Sequence, residues 1–265
     1  MIRKTVIVLL LVIGIVTSAA AADIVTFKGA TTTADGELLM LTGNLKKPHG
    51  DGPFGAVVLL HGCSGIDSLN DMWAERLKEW GYVTLAVDSL GPRGESDICG
   101  KPHRVPPNIR AKDAHAAKSY LTGLSFVDGT RITVMGMGHG GWTILYAVRN
   151  PWYAEVKQRS DPFRAAVALY PYCPNKLARC DAPLLILIGE LDEHVSAELC
   201  QNMKKTWMAG DPQHEVILKV YPGAYYCFDC EGINKTVLGR RIQYDKVAAA
   251  DAIIQVKNFL AKHMK

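Results

Sequence analysis

Ile132-Thr-Val-Met-Gly-Met-Gly-His-Gly-Gly-Trp142 places a glycine-rich turn between an apolar, β-branched run and a helix-length stretch. Strand, tight turn and helix make the setting of a nucleophile elbow, G-x-S-x-G, in which small flanking residues permit a strained turn that raises the central side chain above a sheet. The frame here reads Gly136-Met137-Gly138-His139-Gly140, so the central position, Gly138, has no side chain. Dinucleotide folds also use such a turn. Gly136, Gly138 and Gly141 satisfy G-x-G-x-x-G, but the elbow is the preferred reading, and no cofactor is expected.

On either side of this turn, short apolar runs alternate with helix-length amphipathic ones. That is the pattern of an α/β fold with a mostly parallel central sheet and helices on both faces. Strands are expected at 38–45, 56–61, 83–87, 132–135, 165–169, 184–188 and 216–221. Helices are expected at 71–80, 108–124, 141–149, 197–208 and 244–262. Long loops fall at 62–70, 89–107 and 223–239, and in open α/β sheets the loops after strand carboxyl ends build the site. With 265 residues, 48% hydrophobic and 21% charged, the chain buries one large core and is neither disordered nor collagen-like. A single domain, 23–265, fits better than two. Lys and Arg total 30 against 26 Asp and Glu, and no basic run is interleaved with aromatics, so no nucleic-acid partner is expected.

Residues 1–22 read as a secretory signal. Arg3 and Lys4 precede the apolar run Val6 to Val16, and Thr17, Ser18 and Ala19 to Ala22 supply a small-residue cleavage site. The run is shorter than the ~20 residues a spanning helix needs, so no membrane span is expected once the signal is removed, and the protein is expected in the periplasm or outside the cell. Seven cysteines would then meet an oxidising environment, and an odd count leaves at least one unpaired. Sequence does not fix the connectivity. Cys173 and Cys180 flank a short loop and are the first expected pair, while Cys63 and Cys99 both fall in loops at the sheet's carboxyl edge.

The stretch His61-Gly62-Cys63-Ser64-Gly65 follows the strand at 56–61. In α/β-hydrolases this loop lends one backbone N–H to an oxyanion hole, and the residue after the nucleophile lends the other. Those positions are Cys63 and His139. The alternative is that the glycines only permit tight turns.

Together with Asp88-Ser-Leu-Gly-Pro-Arg-Gly94, Ile188-Gly-Glu-Leu-Asp192 and Tyr221-Pro-Gly-Ala-Tyr-Tyr-Cys-Phe-Asp229, these stretches make the chain resemble the dienelactone hydrolase family of α/β-hydrolases, in an exported subgroup. The resemblance spans residues 56–229. It implies a Ser or Cys nucleophile at the elbow, an acid after a late strand and a His in the loop after the last strand. Asp192 matches the acid. The nucleophile position is Gly138 and the histidine position is Tyr226, so the triad is degenerate. Gly cannot attack a carbonyl, and Tyr, with an ordinary pKa near 10, is a poor base at neutral pH.

Replacement candidates are few. His139 lies one position past the elbow and should point away from the attack trajectory. Cys227 neighbours Tyr226 and opens Cys227-Phe-Asp-Cys230, a C-x-x-C that lies in a loop rather than opening a helix, which favours a structural disulfide or an inert thiol over a redox role. His61, His139, Asp192 and His194 lack metal-ligand spacing, and no metal is expected. His61, Arg93, Tyr172 and Tyr225 are candidates to line a pocket, and Tyr170 and Tyr226 with them. The five tryptophans, Trp152 among them, stand mostly at helical positions and read as core. Three functions follow in order. The first is a non-hydrolytic member that binds a small carbonyl or carboxylate compound, or a protein partner. The second is an ester or lactone hydrolase using rearranged residues, and the third is a thiol–disulfide protein using Cys227 and Cys230.

Overall fold

The apolar runs become the strands of one eight-stranded sheet. The computed structural model describes residues 23–33, 35–149, 162–174, 180–209 and 214–265. Strands β1 (Asp23–Thr32), β2 (Leu38–Lys46), β3 (Phe54–Leu60), β4 (Val83–Asp88), β5 (Val127–Met137), β6 (Ala166–Leu169), β7 (Leu184–Gly189) and β8 (Val216–Tyr221) lie in the order β1-β2-β4-β3-β5-β6-β7-β8. β2 is antiparallel to both neighbours, and every pairing from β4 across to β8 is parallel. The burial follows the pairing. Every residue of β6 and β7 is buried, as a parallel strand covered on both faces requires, whereas β2 alternates between exposed or half-buried and buried positions.

Among the described residues five α-helices pack on this sheet: α1 (Ser68–Glu79), α2 (Pro107–Thr122), α3 (His139–Ala147), α4 (Ala197–Ala209) and α5 (Lys246–His263). α1 starts where Asp67 accepts from the Leu69 and Asn70 N–H groups while the Asn70 side chain returns to the Asp67 N–H, a closed capping box. α2 packs against α3 and β1, and α1 against β3 and β4. Among the described residues no helix is long and apolar enough to cross a membrane.

Register places the site. Leu60 pairs with Gly136, Met137 with Leu169, and Gly189 with Tyr221, so the carboxyl ends of β3, β5, β6, β7 and β8 finish along one edge. The loops carrying His61, Gly138, Asp192 and Tyr226 all leave from that edge.

The sheet and helices agree with the expected architecture, with three differences. β1 was not expected. Its residues alternate between polar and apolar with few large apolar side chains, and Ile24 remains 79% exposed. β5 begins at Val127 rather than near 132, across an irregularity in its pairing with β3. Part of the segment read as a long loop is a hairpin, β9 (Asn234–Val237) with β10 (Arg240–Gln243), whose side chains are exposed or half-buried and so lack a core-facing pattern. The signal at 1–22 and Trp152 lie outside the described residues.

Candidate functional site

Between β5 and α3, Gly138 takes φ 53° and ψ −113°, a conformation open to few residues with a Cβ. Its N–H donates to Leu169 O (3.0 Å) and its carbonyl accepts from the Trp142 N–H (2.8 Å), which fixes the turn and starts the helix. Gly140 is required for another reason: a Cβ there would collide with the Leu60 carbonyl and lie 2.7 Å from His61 O. The backbone is therefore that of an elbow although its side chain is missing.

The Tyr226 hydroxyl occupies the space above Gly138. A Cβ built on Gly138 would overlap the Tyr226 Oη and fall 3.2 Å from Cζ. The ring reaches across from the loop after β8 and stacks at a tilt on Tyr170 and His194, each with ring centroids 4.7 Å away. Burial, followed by the charges of Asp192, Asp229 and Asp67, raises the phenol above its ordinary range. It is therefore a neutral phenol near neutral pH, neither a nucleophilic phenolate nor a base, and its hydroxyl makes no hydrogen bond to another described residue.

Asp192 stands three residues beyond the end of β7. Its Oδ1 accepts from the His194 and Val195 N–H groups, both at 2.9 Å, while Oδ2 is buried without a partner among the described residues. Burial pushes this carboxyl up to about 7 against the opposing pull of the two N–H bonds. The residue at the expected acid position is thus buried and held by two N–H bonds, and the residue at the expected histidine position is a phenol. His194 Nε2 is likewise buried and unpartnered among the described residues, and burial lowers its pKa.

His139 and His61 belong to a buried cluster around Arg110 of α2. The Arg110 guanidinium, wholly buried, donates to His139 Nδ1 (2.8 Å) and to His61 O (2.7 Å). His139 then carries its proton on Nε2, which faces Pro102 O at 3.3 Å, and burial with the Arg110 charge drives its pKa to about 3. Its ring is engaged by Arg110 and Pro102 and meets Trp142 edge to face. His61 donates from Nδ1 to Gly62 O (2.7 Å) and accepts the Ser89 N–H at Nε2 (3.2 Å). It is fully buried, so it is not the pocket residue it was expected to be. Arg93, also expected to line a pocket, keeps a side-chain exposure of 15% and is engaged by protein groups. Its guanidinium holds both Asp113 oxygens at 2.8 Å, Ser89 O at 2.7 Å and Thr31 Oγ1 at 3.0 Å, tying the loop after β4 to α2 and β1. Tyr172 is 42% exposed with its edge toward Trp142, and Tyr225 is half-buried under Arg241, whose guanidinium lies 5.0 Å from the ring centre. Sequence reading missed Arg110. Only its position one helical turn before Asp113 hinted at a charged face, and such faces are usually solvated.

The backbone N–H groups of Cys63 and His139 donate to no described residue. Three disulfides brace the loops around them: Cys63–Cys99, Cys173–Cys200 and Cys227–Cys230, one for each loop after β3, β6 and β8. The expected Cys173–Cys180 pair is incorrect. α4 brings Cys200 to a Cα separation of 4.9 Å from Cys173, while Cys180 is free, turns its thiol to Ala182 O (3.0 Å) and is pushed by burial up to about 12. Among the described residues no group of three His, Cys, Asp or Glu side chains is placed to hold a metal ion.

Comparison with known proteins bears on this geometry. The chain is 40% identical over 98 residues to the uncharacterized protein YcjY of Escherichia coli, a match covering 36% of this chain and 31% of that one. It is 29% identical over 164 residues to the cutinase est2 of Thermobifida alba, covering 59% and 48%. It therefore spans 31% to 48% of these two relatives' length. Its fold matches the crystal structure of a dienelactone hydrolase from Anabaena variabilis with a TM-score of 0.63 at 19% identity, covering 92% of this chain and 98% of that one. The match to the dienelactone hydrolase family itself runs over residues 41–264, from β2 through the elbow and Asp192 to the end of α5, and on that match the chain belongs to the dienelactone hydrolase family.

Proposed function

We propose that this protein is an exported family member that does not hydrolyse esters through a triad and instead binds a small carbonyl or carboxylate compound beside the backbone N–H groups of Cys63 and His139. The observation that carries this reading is the Tyr226 hydroxyl lodged over Gly138. Losing the nucleophile together with its base removes the covalent route, since the two work as a unit. The ligand class is argued from the backbone donors, which suit a carbonyl or carboxylate oxygen, and from the family and the cutinase relative, whose names imply ester and lactone chemistry. Export is argued from the signal-like leader and from three disulfides, which persist in oxidising compartments.

The test is p-nitrophenyl acetate turnover. Wild type and Asp192→Ala should both match the buffer rate. Short carboxylates and lactones should raise the melting temperature and shift the Cys63 and His139 amide resonances. Turnover abolished by Asp192→Ala would overturn the reading in favour of the rival, an ester or lactone hydrolase with rearranged residues. That rival draws on two buried groups without a partner among the described residues, Asp192 Oδ2 and His194 Nε2.

A further inference from the structure

Of the three disulfides, stability accounts least for Cys227–Cys230. Cys63–Cys99 and Cys173–Cys200 join residues 36 and 27 apart, whereas Cys227–Cys230 spans a separation of three. In the chain-entropy account a cross-link stabilises by restricting the unfolded chain, and the restriction grows with the loop closed, so the four-residue loop gains least. Access sets it apart from Cys173–Cys200, whose cysteines are buried, whereas Cys227 and Cys230 are partly exposed, as Cys63 and Cys99 are.

Position gives the bond its consequence. Cys227 directly follows Tyr226 and has φ 60°, a conformation that residues other than glycine rarely adopt. The turn is closed by the Cys230 N–H donating to Cys227 O at 2.9 Å. Its far half is anchored: Phe228 is fully buried against Tyr170 and Tyr221, and the buried Asp229 carboxylate accepts from Trp73 Nε1 (2.8 Å) and the Tyr170 hydroxyl (2.9 Å). The near half is held by the disulfide together with lighter anchors, the Gln243 N–H on Tyr226 O at 3.3 Å and the Tyr226 ring on Tyr170 and His194, so the bond is one of the few restraints on Cys227 and Tyr226.

We propose that Cys227–Cys230 is a thiol–disulfide exchange site for a dithiol, and that its oxidation state sets whether Tyr226 is seated over Gly138. In the exchange, a thiolate of the dithiol attacks one sulfur of the pair and forms a mixed disulfide, and the other cysteine leaves as a thiolate that takes a proton. The dithiol's second sulfur then attacks the mixed disulfide and closes its own ring, releasing the second cysteine. Two electrons and two protons pass to Cys227 and Cys230, and the dithiol becomes a disulfide. Oxidation by a disulfide of the same class reverses each step.

The experiment uses the full chain in graded mixtures of reduced and oxidised dithiothreitol, with alkylation and peptide mass mapping. Cys227 and Cys230 should be alkylated at a dithiol-to-disulfide ratio at least about tenfold below that needed for the other four cysteines, with the fold retained by circular dichroism. A parallel titration with a reduced C-x-x-C oxidoreductase identifies the source: reduction there supports a protein dithiol, and reduction by dithiothreitol alone supports a small one. On reduction the Gly138 and His139 amide resonances should shift, return on reoxidation, and match those of the Cys227→Ser, Cys230→Ser double variant in oxidising buffer. Joint reduction of all three disulfides, or Cys227–Cys230 reducing last, overturns the exchange site. Reduction that leaves the Gly138 amide unmoved overturns its link to Tyr226. None of these readouts involves ester turnover, so they stand apart from the proposal of a non-hydrolytic site.

Discussion

Substituting Gly138→Ala adds one methyl group at the point where the Tyr226 hydroxyl sits, and two separable costs follow. The first is local: φ 53° with ψ −113° is sparsely populated by residues with a Cβ, worth about 1–3 kcal/mol. The second is steric: the new Cβ overlaps Tyr226 Oη and lies 3.2 Å from Cζ, an overpacking cost of about 1–3 kcal/mol. The sum should lower the melting temperature by on the order of 10 °C for a domain of this size. Tyr226→Phe removes the oxygen and leaves only the tight Cζ contact, which a few tenths of an ångström of ring movement relieves. Gly138→Ala should therefore destabilise the Tyr226→Phe protein by about 1–3 kcal/mol less than it destabilises wild type, a coupling that a double-mutant cycle in denaturant measures directly. If Gly138→Ala carries the same cost in both backgrounds, Tyr226 does not occupy the elbow, and the reasoning from that contact fails.

Gly138→Ser combined with Tyr226→His should create measurable p-nitrophenyl acetate hydrolysis while either change alone gives little, because nucleophile and base act together; a folded but inactive double variant would show that the pocket is remodelled beyond its side chains. Asp192, with its carboxyl raised to about 7 by burial, binds a proton in the folded state that the unfolded chain releases near pH 4, so stability should fall as pH rises from about 4 to about 7 and level off above. The loss is about 4 kcal/mol at most, and Asp192→Asn should flatten that slope in chemical denaturation across pH. Arg110→Lys should destabilise by about 2–4 kcal/mol despite keeping the charge, because an ammonium lacks the planar fork that donates to His139 Nδ1 and His61 O together; a change below about 0.5 kcal/mol would remove Arg110 from its role under the elbow.

What the sequence made legible and what it hid divide along one physical line. The central strands were readable because a parallel strand buried on both faces must be apolar at successive positions, as Leu184 to Ile188 are, and the turn at 136–141 was readable because only glycines allow the backbone to approach Leu60 and His61 so closely. β1 escaped because one of its faces meets solvent, and its apolar content falls accordingly. In the site, Gly138 and Tyr226 were visible as residue types that depart from the expected nucleophile and histidine, since each stands in a recognisable frame. That Tyr226 fills the elbow, rather than merely failing to be histidine, depends on the loop after β8 crossing to the loop after β5, and no local pattern encodes such a crossing. The same holds for His61 and Arg93. Both carry groups suited to a ligand, and both are engaged by α2, through Arg110 and Asp113, whose positions on a helix read equally well as a solvated face. Cys173 is the sharpest instance. The short loop to Cys180 made the nearer cysteine the natural partner on entropic grounds, but a disulfide forms only where two Cα atoms come within its reach, and the docking of α4 satisfies that condition for Cys200. Sequence separation sets what a cross-link contributes to stability. Tertiary geometry sets whether it exists, and in this protein the geometry outweighs the separation.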